Sequence, residues 1–243
     1  MLKLFRNIRQ TLIMENKTSK YLKYAIGEIV LVVIGILIAL QINNWNEARK
    51  KNQKEAVLIK NIVEDLYIDA AYIDQALGEL DEQLGVVDQL IASVLDGNTI
   101  LDYSSMGLVR YSSDFRPKTQ RNHTEAVSNL EKDATRKLLQ NYFIKEDQVN
   151  DIFLEYEAII HNEIRPYMRE SGMHNLNSLY TRGNSLQIDR MLHPQILEAQ
   201  LQEVKFQQLL YERRLKTESF KRLLKELKDN NQELIKILNS ANK

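Results

Sequence analysis

The sequence contains no cysteine in 243 residues. Disulfides, cysteine-ligated zinc and thiol nucleophiles are therefore excluded. Glycine and proline are scarce, at eight and three residues, less than half of the roughly 12% an average chain carries. Few turns are encoded, so long helices are expected. Neither sign of charge prevails, with 33 Lys and Arg against 33 Asp and Glu. That balance removes the general electrostatic reason to bind nucleic acid. Also absent are Gly-x-Ser-x-Gly, a glycine-rich phosphate loop and His-Glu-x-x-His. No strand-like alternation is sustained anywhere, which points to an all-α chain.

One long apolar run is present. Tyr24 to Ile42 is 19 residues, about 28 Å of helix at 1.5 Å per residue, close to the roughly 30 Å hydrocarbon layer of a membrane. Tyr21 and Tyr24 at one end and Trp45 at the other stand where amphipathic aromatics settle at the two interfaces. A cleaved signal peptide would need a small-x-small site after the core, and LIALQINNW offers none. The alternative of a buried soluble helix rests on the short uninterrupted core, Ile29 to Leu40. An uncleaved single-pass anchor is the favoured reading. Residues 1–23 carry Lys3, Arg6, Arg9, Lys17, Lys20 and Lys23 against Glu15. This basic flank places the N-terminus in the cytoplasm and the long C-terminal region outside it. Arg49, Lys50, Lys51, Lys54 and Lys60 on the far flank oppose that bias in part.

Residues 2–14 set Leu4, Phe5, Ile8 and Leu12 on one helical face and Lys3, Arg6 and Gln10 on the other. The pattern fits an interfacial amphipathic helix on anionic lipid, or a basic orientation signal without a helix of its own. ARKKNQK after the span has lipid head groups as its nearest partner.

The run YAIGEIVLVVIGILIALQINNWNE, preceded by FRNIRQTLIMENKTSKYLK, resembles the N-terminal signature of an uncharacterised bacterial family of small single-pass membrane proteins, a family of unknown function. Phe115, Pro117 and ATRKLLQNYF are similar to its later pattern. The resemblance implies a single-pass topology in the bacterial inner membrane and brings no activity with it.

From Ala56 the apolar residues repeat every seven: Ala56, Val63, Ala70, Leu77, Leu84 and Ile91 form one row, and Ile59, Leu66, Ile73, Leu80, Val87 and Val94 the other. A sustained 3.5-residue average repeat keeps one seam facing a partner. That partner is either another copy or a later helix of the same chain. Asp96-Gly97-Asn98 supplies a stop, and residues 99–122 read as a connection. A helix is expected from Asn122, with Glu125 in capping-box spacing, a break near YFIKED, and an end at Pro166 and Gly172. A last helix is expected from His193-Pro194 to about Leu238. The predicted architecture is all-α: residues 1–23 basic, 24–42 transmembrane, 43–97 a heptad stalk, and 98–243 folding back to make an elongated antiparallel bundle with coiled-coil character.

Chemistry is thinly represented. Glu157 and His161 are four apart, the minimum for two metal ligands, but neither helix supplies the Glu-x-x-His pair of a di-iron site. They read as a surface pair. No catalytic residue, metal site or cofactor is assigned, and the chain is not expected to be an enzyme. Glu28 is the oddity. At roughly 100° per residue, Gly35 and Ala39 lie about 20° to either side of it, giving a contact stripe of Glu28, Gly35 and Ala39. Small residues four apart admit a second helix closely, and an acid beside them would face protein. The other readings are a proton-carrying acid and a boundary charge one turn past Tyr24 that reaches the head groups. The function expected is a membrane-anchored interaction protein, a scaffold, adaptor or accessory subunit of an envelope complex. Its partners would be the bilayer and either its own copies or another membrane protein. An extracytoplasmic helical sensor or ligand-binding bundle working through a partner is the alternative.

Overall fold

A computed structural model describes residues 18–97, 100–179 and 191–241. The expected amphipathic helix over 2–14 and the side chains of Tyr21 and Tyr24 lie outside what is described. Among the described residues the regular structure is helical, apart from one isolated bridge between His174 and Leu192. Helix α1 runs from Thr18 to Asp96, 79 residues. It meets no proline, the first being Pro117. It ends where Gly97 takes a φ of +63°, a left-handed cap that costs glycine nothing. The chain divides into two compact units between Val57 and Leu58, within α1.

The first unit exposes its apolar surface all round, with each side chain from Ile29 to Trp45 open to the surroundings. The second builds its core from α1, α4 (Asp133–Ala158) and α7 (Val204–Ala241). Both heptad rows are used: Ile59, Val63, Leu66, Ile73, Leu77, Leu80, Leu84 and Val87 are buried. Ala56 is exposed, and Ala70, Ile91 and Val94 are partly covered. A third row, Ile62, Asp69, Ala76, Gln83 and Leu90, is buried with them. Three positions in seven is wider than a two-stranded seam, because later helices of the same chain flank α1 here. Ion pairs record the register with α7. Asp74 meets Lys228 at 2.6 Å, Asp81 meets Lys221, and Asp88 meets Arg214 at 2.6 Å. Each step of seven along α1 is answered by a step of seven back along α7, so the two run antiparallel.

The connection after α1 holds a 3-10 turn (Met106–Arg110) and two short helices, α2 (Thr119–His123) and α3 (Ala126–Asn129). Asn122 lies inside α2 and donates to Asp65 at 2.8 Å, so it caps nothing. Glu125 makes no capping bond either. The expected break at YFIKED is absent, and α4 passes through it unbroken. Leu139, Tyr142, Phe143, Glu146, Val149, Phe153 and Tyr156 form one buried stripe at helical spacing. Glu146, an acid on that stripe, is what makes the sequence pattern look interrupted. A π turn (Ile159–Ile164) follows, and then α5 (Arg165–Glu170). Pro166 sits in the first turn of α5, directly after the π turn; the segment ends instead at Gly172, φ +72°. A 3-10 turn covers Leu176–Leu179. Pro194 does begin α6 (Pro194–Leu201), but the chain then breaks at Gln202 and Glu203 before α7. A second core cluster, with Met106, Met168, Met173 and Met191 among its members, gathers around these turns.

Candidate membrane segment and buried polar groups

Among the described residues one helix, α1, is long and apolar enough to cross a membrane, and none of its apolar window is buried. The core helix of a soluble protein hides that surface. Trp45 is open on the same unit at 66% exposure. Glu28, Gly35 and Ala39 share a stripe by their spacing, and a Cβ placed on Gly35 would meet nothing within 4 Å.

The second unit hides two polar clusters. In the first, Arg213 of α7 is fully buried. Its Nη2 donates to Gln83 Oε1 at 2.6 Å and to the Tyr111 carbonyl at 2.9 Å, and its Nη1 donates to Thr217 Oγ1 at 3.0 Å. Tyr156 donates to the same Gln83 oxygen at 2.6 Å and accepts the Ser113 N–H at 2.8 Å. Gln83 in turn donates to Ser113 Oγ at 3.1 Å. The guanidinium lies 4.7 Å from the Tyr156 ring centroid, a cation–π contact. Every one of these partners is neutral. Burial lowers the pKa of Arg213, opposed by its contacts with Tyr156. A guanidinium still holds its proton in such a place, so a positive charge is stored in the core. Its dipolar partners join α1, α4, α7 and the connection at one point.

The second cluster holds two acids. Asp69 of α1 accepts the Lys118 and Thr119 N–H groups, each at 2.8 Å, and the Thr119 hydroxyl at 2.6 Å. It thereby satisfies the first N–H groups of α2 from a different helix. Glu146 of α4 accepts the next, Gln120 N–H, at 3.1 Å through Oε2, while its Oε1 is buried with no hydrogen bond. Burial, and then the charge of Asp69, push the Glu146 carboxyl up to about 8. At neutral pH it is largely protonated. Tyr142 nearby is raised as well, by burial first and Glu146 next, and its hydroxyl accepts from Asn231, which also holds the Leu66 carbonyl at 3.0 Å.

Glu157 and His161 lie 3.7 Å apart on the surface, as their spacing suggests. Among the described residues no group of three or more His, Cys, Asp or Glu is placed to hold a metal. The residues that sequence reasoning misses, Asp69, Gln83, Glu146, Arg213 and Thr217, share one signal. Each is polar at a position where the helical period calls for an apolar side chain.

No curated protein and no solved structure matches the chain. Residues 28–107, from Glu28 through the rest of α1 and into the 3-10 turn, match a family of unknown function, DUF6090.

Proposed function

We propose that this chain is a membrane-anchored helical interaction protein, a scaffold, adaptor or accessory subunit of a bacterial envelope complex, without catalysis of its own. The observation that carries the reading is the contrast between its two units. One presents an apolar helix none of whose span is buried, and the other buries most of its heptad rows internally, which supports reading it as an antiparallel bundle with coiled-coil character. The apolar span is then left for the bilayer and for helices within it, and the stripe of Glu28, Gly35 and Ala39 is the contact face. By the basic flank of residues 1–23, the N-terminus is cytoplasmic and the bundle periplasmic.

The test is made on the full chain in cells. Alkaline carbonate should leave it in the membrane pellet, and protease added to spheroplasts should remove the region beyond Trp45. Gly35→Ile should lower self- or partner association in the membrane with insertion unchanged, and Glu28→Leu should weaken it more than Glu28→Gln. Release by carbonate would refute the anchor. Association equal to the parent in all three variants would refute the stripe.

A further inference from the structure

Helix α2 is five residues long, too short to hold itself together in water. Acids from other helices fix its place. Asp69 of α1 takes the Lys118 and Thr119 N–H groups and the Thr119 hydroxyl, and Glu146 of α4 takes the Gln120 N–H. Three consecutive amides thus bring the two carboxyls to one point, each side chain's residue only 1% exposed. At the far end Asp65 of α1 accepts from Asn122 at 2.8 Å and pairs with His123 at 2.9 Å, and Gln120 Nε2 donates to Asp147 of α4 at 3.0 Å. Phe115 before α2 and Ala126 after it belong to the core. An opening of α2 therefore has fixed ends.

Two ionised carboxylates that share one buried helix start repel each other, so one of the pair carries a proton. The hydrogen bonds say which. Both oxygens of Asp69 accept from N–H or O–H donors, the arrangement of an ionised group. Glu146 uses only Oε2, and its Oε1 is buried with no hydrogen bond, so a proton sits there without displacing a donor. Burial raises the Glu146 carboxyl first, Asp69 next, and Asp147 adds to it, against the Gln120 N–H and Tyr142. The charges acting on it are thus both acidic. Tyr142 of α4 is bonded in turn to the Asn231 amide of α7, a neutral group.

We propose that Asp69 and Glu146 form a proton-operated clasp, which holds α2 on α1 and α4 while Glu146 is protonated and lets residues 118–123 go when it ionises. Glu146 keeps its proton up to about pH 8 in the closed form, and only to about 4.5 once α2 has left and water reaches it. Opening therefore becomes roughly tenfold easier per pH unit between those values and no easier above about 8. The clasp stands whether or not α1 is a membrane anchor, because all its residues belong to the second unit.

The test is trypsin on the purified full chain in detergent from pH 6 to pH 9, beside Glu146→Gln, with cleavage after Lys118 and Arg121 read by mass spectrometry. Cleavage there waits for opening, so its rate follows the open population when closing is fast. The ratio of parent to variant removes the pH dependence of trypsin and of the His123 pair with Asp65, which both proteins share. That ratio should rise roughly fiftyfold from pH 6 to pH 8 and then level off. Cleavage after Lys221 and Lys228, inside α7, should keep a constant ratio, with the helical spectrum unchanged. In Asp69→Asn, which removes the charge that raises Glu146, the levelling should come at lower pH. A flat ratio after Lys118 and Arg121 overturns the clasp. An equal rise after Lys221 and Lys228 overturns it too, because the whole unit is then unfolding. Levelling at the parent's pH in Asp69→Asn means that Asp69 does not act on Glu146, and the pair fails.

Discussion

Tyr156→Phe isolates one hydroxyl at the centre of the second unit. The ring stays, and with it the tilted contact with Phe220 at 5.1 Å and the cation–π contact with Arg213 at 4.7 Å. Two bonds go, the one to Gln83 Oε1 and the one from the Ser113 N–H. Gln83 Oε1 keeps its charge-assisted bond from Arg213, so its loss is small. Ser113 is buried, and its N–H has no second acceptor among the described contacts. An orphaned buried donor costs about 1–3 kcal/mol. We therefore expect a loss of about 2 kcal/mol, or about 4–8 °C in the thermal midpoint for a chain of this length. Circular dichroism of the full chain in detergent measures it. Tyr156→Leu should cost about 3–5 kcal/mol, because it removes the ring as well as the hydroxyl. Equal midpoints for Tyr156→Phe and the parent would mean that water reaches Ser113 and that the cluster is not a dry hydrogen-bond network.

Leu80 is fully buried in the heptad rows, and Leu80→Asp should cost several kcal/mol if the carboxylate stays charged, with helicity and midpoint falling together; an unchanged midpoint refutes the packed seam. Glu146 titrates near 4.5 ordinarily and near 8 in the folded chain. The proton it holds when folded stabilises fully below about pH 4.5, and that contribution is lost as pH rises through about 8. Urea midpoints of the parent should thus fall relative to Glu146→Gln across that window, and parallel profiles would refute the burial argument. The ion pairs of Asp74, Asp81 and Asp88 with α7 are partly exposed. Replacing all three acids by Asn should cost about 1–2 kcal/mol at low salt and less at high salt, read as a salt-dependent midpoint difference.

Some of this protein is a local property and follows from the sequence alone. The helical class follows from the rarity of glycine and proline, the membrane-length segment from a predominantly apolar run of 19 residues interrupted by Glu28, and the buried face of α1 from a seven-residue repeat. Gly97 and Gly172, at positive φ, mark their helix ends because few other residues tolerate that backbone. Other features depend on groups far apart in the chain. The heptad rows of α1 are filled by helices of the same chain, a choice that periodicity cannot make, since a second copy would offer an equally apolar face. Asp69 reads as a solvated acid until α2 brings it three hydrogen-bond donors, and Glu146 reads as a break in α4 until the same helix end and Asp69 surround it. Arg213 reads as one surface cation among many, and only the meeting of Gln83, Tyr111, Tyr156 and Thr217 makes its burial tolerable. The stripe of Glu28, Gly35 and Ala39 is legible in the sequence as spacing, because a helix repeats its own geometry. What lies against that stripe belongs to contacts between helices, and tertiary structure determines those because hydrogen bonds and buried charges are satisfied by groups distant in sequence.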